Sequence, residues 1–316
     1  MTDIAVVGAG IMGHALALVF ALGGHKVRLT DSHGPTLERA PGLIDAAART
    51  LVEAGEIDAA WTDGRLDDAI TPCGRLSDTV ARADVIVEAI VERRDAKQAL
   101  FAQIDEMARP DAILASNTSN LDIFPLVPAS RQKRTLIAHW YTPPYLIDLV
   151  DIVPGAETEP AVVETMRDLV TALGKKPVVF RKFIAGYVAN RIQEAIWLEV
   201  CRLLDDGVVS AREIDDSVIH GLALRLPILG VLAKGDFTGV DLLQLNLGNM
   251  PYTPPEVTGR SATVDRLIAE GRTGVKAGKG FFDWGGREAR ELFRERDRRI
   301  LKLKQALRGI GPMEGA

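Results

Sequence analysis

Cysteine is scarce in this chain. Cys73 and Cys201 are the only two in 316 residues, far apart and in unrelated contexts. They match no disulfide framework, metal spacing or redox motif, so no metal centre is expected and a reduced, cytoplasmic setting is. An excess of positive charge is also missing. The formal net charge is −5, which argues against a nucleic-acid partner. No run of about eighteen apolar residues occurs, so no membrane span is expected. The opening residues read as core structure rather than as a targeting leader. Internal repeats and low-complexity tracts are absent too. What remains is an ordinary globular composition, 47% apolar, in a chain long enough for two domains.

The most informative stretch is Ile4-Ala5-Val6-Val7-Gly8-Ala9-Gly10-Ile11-Met12-Gly13, an apolar run ending in G-x-G-x-x-G, followed by the helical pattern His14 to Phe20. Gly8 permits the turn, Gly10 lets backbone approach a pyrophosphate, and Gly13 lets helix and strand pack closely. A phosphate then rests on free N–H groups at the positive end of the helix, with Ile11 and Met12 in the same loop. The competing reading is a glycine turn that serves packing alone. A second apolar strand, Lys26 to Thr30, ends at Asp31, where a ribose-binding acid belongs. Asp31 would accept hydrogen bonds from the ribose hydroxyls and repel a 2′-phosphate, so NAD rather than NADP is predicted. Ser32, His33 and Gly34 add no cation for such a phosphate; Arg28, inside the strand, is the one basic residue nearby.

Strand and helix patterns alternate through the first half. A helical stretch from about Thr36 through Ala60 is followed by a strand at 84–89, a helix at about 94–107 and a strand at 112–115. Further strand-like segments lie at 135–140, 149–153 and 177–180. This alternation predicts an α/β Rossmann-type doubly wound sheet over residues 1–184. From Val188 onward the apolar residues recur at helical spacing, which predicts an all-helical C-terminal domain over 185–316. Gly207 ends one helix there, and Ser210 with Glu213 forms a capping box for the next. The segment 287–308 reads as a charged tail helix, facing solvent or a partner.

Oxidising a secondary alcohol with NAD also requires removal of the hydroxyl proton, and histidine is the usual base. Of the five histidines, His139 stands out. It lies near a strand end, before the double-proline turn Pro143-Pro144, and Asp151 follows in a second apolar run. A strand–turn–strand of that length returns Asp151 to the neighbourhood of His139, where a carboxylate would fix the tautomer and support the imidazolium. The plainer alternative is a packed, hydrogen-bonded strand histidine.

Together these residues resemble the L-3-hydroxyacyl-CoA dehydrogenase family, and its lambda-crystallin and gulonate-dehydrogenase branch more than its acyl-CoA enzymes. The resemblance runs from Ile4 to about Trp284. It rests on the glycine loop, Val87-Glu88-Ala89-Ile90-Val91-Glu92, Ala115-Ser116-Asn117-Thr118-Ser119, the His139 segment, Gly186-Tyr187-Val188-Ala189-Asn190-Arg191 and Gly278-Lys279-Gly280-Phe281-Phe282. It implies that His139 is the base, that Asp151 takes the place of the family's glutamate, and that Ser119 and Asn190 hydrogen-bond the substrate. It also implies that Glu92, Lys97, Ser119, Thr142 and Lys276 contact NAD, and that the helical domain forms a homodimer. The alternatives are a turn role for Ser119, a local polar role for Asn190 and solvated surface charges for Glu92, Lys97 and Lys276. Three departures stand out. Asp151 is a methylene short, so either the strands lie closer or a water bridges the pair. Thr142 stands where the acyl-CoA enzymes carry asparagine. The helix after the second strand lacks their lysine-rich surface, and its acidic residues would repel a CoA nucleotide. The function implied is interconversion of a 3-hydroxy acid, or its thioester, with the 3-keto form; the alternative is a non-catalytic, crystallin-like NAD-binding protein.

Overall fold

The computed structural model describes residues 2–250 and 252–312; the final residues of the expected second domain, 313–316, lie outside them. The chain divides into two compact units, residues 1–187 and 188–316.

The first unit is built on one eight-stranded sheet. Its strands are β1 (Asp3–Val7), β2 (Lys26–Thr30), β3 (Ile70–Pro72), β4 (Val85–Glu88), β5 (Ile113–Ser116), β6 (Thr135–Trp140), β7 (Leu149–Pro154) and β8 (Lys176–Val179). Their order is β3-β2-β1-β4-β5-β6-β7-β8. All neighbours pair in parallel except β6 and β7, which run antiparallel. The central strands are buried along their whole length, which is why they read as continuous apolar runs rather than as alternating ones. Helices α1 (Gly13–Leu22), α2 (Gly34–Glu53), α3 (Arg65–Ala69), α4 (Leu76–Val80), α5 (Arg94–Met107) and α6 (Pro160–Ala172) complete the unit. The strand order reverses between β1 and β4, and the crevice beyond their carboxyl ends is where such sheets bind ligands.

The helix expected through Ala60 stops at Glu53. Gly55 takes a positive φ, and the Glu56 N–H bonds back to the Leu51 carbonyl at 2.9 Å, closing the helix end. A separate 3-10 turn, Ala59–Thr62, follows, capped by Asp58. The strand β3 and helices α3 and α4 are too short to show a period and were not foreseen.

The second unit is helical: α7 (Tyr187–Asp205), α8 (Ala211–Ser217), α9 (Leu226–Thr238), α10 (Val240–Gly248), α11 (Ala262–Ala269) and α12 (Ala289–Ile310). Ser210 and Glu213 form the expected capping box of α8. Tyr187, the first residue of α7, is fully buried in the core of the first unit, so the division falls a few residues beyond Ile184. Among the described residues no single helix is long and apolar enough to cross a membrane.

The glycine loop gives two contrasting tests. A Cβ on Gly13 would sit 1.6 Å from the Gly8 carbonyl oxygen, whereas one on Gly10 would meet nothing within 4 Å. Gly13→Ala is therefore expected to destabilise the first unit by about 3 kcal/mol, the upper range for overpacking. Gly10→Ala should leave the melting temperature nearly unchanged. Thermal unfolding followed by circular dichroism distinguishes the two; equal losses would contradict the assignment.

Candidate active site

The crevice at the β1–β4 switch is a cleft of about 670 Å³ lined by Gly8, Gly10, Asp31, Ser32, His33, Val91 and Gln103, among others. No side chain caps the first turn of α1, and no acidic residue occupies it. The His14 N–H donates to the Gly10 carbonyl at 3.3 Å, and the positive end of the helix faces an outside acceptor with no acid in its way. The open space over Gly10 lies in this cleft, and Ile11 at the mouth of the loop is 70% exposed. Asp31 accepts the Ala9 N–H at 2.7 Å and the His33 N–H at 2.8 Å. Arg28 turns the other way, with its guanidinium 3.5 Å from Asp3 at the start of β1. Among the described residues, no lysine or arginine lines the cleft beside Asp31 to hold a 2′-phosphate.

At the carboxyl end of β4 a buried charge cluster forms. Lys97 Nζ donates to both oxygens of Glu88, at 2.6 and 2.8 Å, and lies 3.3 Å from Glu92. Lys97 is 1% exposed, so it is not a solvated surface charge. Ser116 Oγ and the Ile90 N–H also donate to Glu88. Glu92 accepts from Thr118 Oγ1 at 2.6 Å and from the N–H groups of Ser119 and Asn120 at 2.9 and 3.0 Å. Partial burial opposes ionisation of Glu92. The Thr118 hydroxyl, the Asn120 N–H, Lys97 and the Ser119 N–H outweigh it and hold the carboxyl below its usual range.

This braced turn delivers Ser119 to His139. The hairpin formed by β6 and β7 places His139 directly opposite Asp151, and both are almost fully buried. His139 Nδ1 lies 3.3 Å from Asp151 Oδ2, and Ser119 Oγ lies 3.2 Å from His139 Nε2. A carboxylate only accepts, so the ring proton belongs on Nδ1 and Nε2 is left as the acceptor. The contact with Asp151 is direct: the cross-strand register closes the gap that the missing methylene leaves, with no water required. Thr142 Oγ1 reaches Met12 Sδ at 3.0 Å, so the loop after β6 meets the glycine loop. Asn190 lies in the first turn of α7, and Lys276 in the 3-10 turn Val275–Ala277; both belong to the second unit.

Three neighbours of the site were missed in the sequence. Tyr141 donates its hydroxyl to Asp151 Oδ2 at 2.7 Å. Tyr187 packs on the His139 ring at 4.7 Å between centroids and donates to the Thr118 carbonyl at 2.7 Å. Asn117 accepts the Trp140 N–H at 2.8 Å and pins the end of β6. Tyr141 follows the last residue of β6, so strand alternation gave no signal for it.

A glycine cradle with an acid at the end of β2, set at the switch point of a parallel sheet, defines an NAD-binding dehydrogenase fold. Residues 3–183 match the 3-hydroxyacyl-CoA dehydrogenase NAD-binding domain, and residues 186–284 match the C-terminal domain of the same family. The chain belongs to the 3-hydroxyacyl-CoA dehydrogenase family. Among its relatives is 5-formyl-3-hydroxy-2-methylpyridine 4-carboxylate 5-dehydrogenase of Mesorhizobium japonicum, 29% identical over 97% of this chain and 98% of the relative. The L-carnitine dehydrogenase of Pseudomonas putida is 32% identical over 87% of each chain. Rabbit (Oryctolagus cuniculus) lambda-crystallin is 33% identical over 73% of this chain and 72% of its own. A crystal structure of a 5-formyl-3-hydroxy-2-methylpyridine 4-carboxylic acid 5-dehydrogenase superposes with a TM-score of 0.86 at 27% identity, covering 98% of this chain and 99% of that one.

The depressed Glu92 carboxyl has a measurable consequence. A carboxyl with a lowered folded-state pKa contributes stability above its ordinary value of 4.5, and that contribution disappears as the pH falls below it. The Ser119 and Asn120 amides should therefore lose hydrogen-exchange protection on acidification through this range before the sheet unfolds. Glu92→Gln should remove that pH step; its persistence in the variant would assign it to another group.

Proposed function

We propose that the protein oxidises the hydroxyl of a small 3-hydroxy acid that carries no CoA, with His139 as the base. The observation that carries this reading is His139 held between two partners of opposite role: Asp151 on Nδ1 and Ser119 on Nε2. Ser119 Oγ marks the position from which a substrate hydroxyl would hand its proton to Nε2. Asp151 would then stabilise the imidazolium, while the network behind Glu92 keeps Ser119 in place to hydrogen-bond the reacting oxygen. Bound NAD supplies the hydride acceptor, held over the Gly10 backbone and by Asp31. Asn190 and Lys276, from the second unit, are proposed to contact substrate and cofactor.

Two features support a free acid over a CoA thioester. Helix α2 carries no lysine; Arg49 is paired with Asp45, and Arg39 bonds the Pro35 carbonyl. The relatives named for carnitine and a pyridine carboxylate point to the same kind of small substrate. The assembled His139 environment also speaks against a purely non-catalytic protein.

NADH formation measured with a panel of free hydroxy acids and their CoA thioesters tests the reading. Turnover on free acids is expected, and preference for thioesters would overturn the substrate assignment. On the best substrate, His139→Ala should lower kcat by about 10²–10⁴-fold while NADH binding stays near wild type. Retained turnover would remove His139 as the base.

The second unit is proposed to pair with another copy. Among its exposed apolar side chains are Leu224 at 73%, Leu232 at 84% and Phe237 at 69%, an accumulation that ordinarily marks an interface. Sedimentation velocity at micromolar concentration should show a dimer. A monomer would require another explanation for these residues.

A further inference from the structure

The Asp151 carboxylate is 1% exposed, so water does not satisfy it freely. Its contact with His139 Nδ1, at 3.3 Å, is at the long end for an N–H···O bond. Its contact with Tyr141, at 2.7 Å, is ideal for an O–H···O bond and falls on the same oxygen, Oδ2. The tighter of these two bonds to Asp151 is thus made by a phenol. The Tyr141 ring stands edge-on to the imidazole with centroids 4.6 Å apart. Burial, together with the hydrogen bond and charge of Asp151, raises the Tyr141 pKa, so it remains a donor. Tyr187 does not compete for Asp151, because its own hydroxyl is committed to the Thr118 carbonyl.

We propose that Tyr141 is a positioning residue for His139: its phenol holds the short carboxylate of Asp151 against the imidazole and fills the space a longer acid would need. The proposal rests on His139 being the base. It has two physical consequences. The phenol draws part of the carboxylate's charge to itself, so removing the hydroxyl concentrates that charge on the imidazole and makes His139 hold a proton more tightly. A glutamate at position 151 that kept its direction would advance the carboxylate by about 1.5 Å, one C–C bond, into the Tyr141 hydroxyl. Aspartate at 151 and tyrosine at 141 are therefore a matched pair, and Asp151→Glu alone is expected to be poorly tolerated.

The groups facing His139 are Ser119 from the turn after β5, Asp151 from β7, Tyr141 from the loop after β6 and Tyr187 from the start of α7. Glu92 and Asp122 add negative charge near Tyr187, and Lys97 is paired with Glu92. Tyr141→Phe leaves all of these in place except the bond under test.

The test needs no substrate. The imidazole titration of His139 is followed by NMR in the full chain, with its resonance assigned by its loss in His139→Gln. The midpoint in Tyr141→Phe is expected to lie about half a unit above wild type, and that in Asp151→Asn below wild type. In thermal unfolding Asp151→Glu should lower the melting temperature, and Tyr141→Phe combined with Asp151→Glu should recover most of the loss. An unmoved or lowered midpoint in Tyr141→Phe, or no recovery in the double variant, overturns the role of Tyr141. If Asp151→Asn shifts the midpoint while Tyr141→Phe does not, the His139–Asp151 pair stands without the tyrosine. Failure of the base assignment itself would appear separately, as retained turnover in His139→Ala.

Discussion

One buried ammonium organises the chemistry of the first unit. Lys97 sits between Glu88 at the end of β4 and Glu92 in the loop that follows. Taking these charges out of water is costly, and such a cluster is weak evidence for net stability. Its value is geometric. With Lys97 satisfied by Glu88, Glu92 is drawn inward, and its oxygen becomes the acceptor around which residues 118–121 wrap. Removing the lysine would leave Glu88 buried without a counter-charge, a loss of about 3–5 kcal/mol for typical buried pairs. The placement of Ser119 on His139 would be lost with it.

The other half of the constellation comes from the single antiparallel step in the sheet. Parallel strands need a long crossover, so two residues twelve apart can face each other only across a hairpin. The reversal between β6 and β7 therefore does two things. It reverses the strand direction between the parallel run β3–β6 and the parallel pair β7–β8, and it sets His139 directly opposite Asp151 in the buried interior. The double-proline loop then carries Thr142 to Met12 in the glycine loop. Tyr187 closes the arrangement from the far side. It holds a positive φ of 51°, uncommon for a side chain of that size. Packing of its ring on His139, Phe180 and Phe183, with its hydroxyl on Thr118, holds that conformation.

Much of this was legible in the sequence, for identifiable reasons. Glycine at positions 8 and 13 reports backbone constraints directly, and the twelve-residue interval between His139 and Asp151 reports a hairpin. Long helices such as α5 and α12 announced themselves by periodicity, whereas β3, α3 and α4 are shorter than one reliable period. Lys97 was misleading because a lysine in the first turn of an amphipathic helix ordinarily faces water; nothing local marks one that turns inward to two carboxylates. Tyr141 carried no signal, since it lies just past the end of β6 and a tyrosine ahead of a proline turn more often packs than bonds. The placement of Asp151 was foreseen, but how a shorter acid reaches His139 was not, because strand register is a property of the folded pair.

Two carboxylates of the candidate site share a design in which a partly buried acid braces a loop. Asp31 holds the Ala9 and His33 amides before any ribose arrives, and Glu92 holds the Ser119 turn before any substrate does. A loop already hydrogen-bonded in its binding shape has less conformational freedom to lose on association, so more of the contact energy appears as affinity. It also couples function to charge. Neither acid can be neutralised without loosening the loop it holds, so substitution of Asp31 or Glu92 acts on architecture. For Asp31 this would join cofactor choice to the shape of the glycine loop: the carboxylate proposed to exclude a 2′-phosphate also tethers Ala9 beside Gly10, and a variant made to admit NADP by removing it would give up that tether.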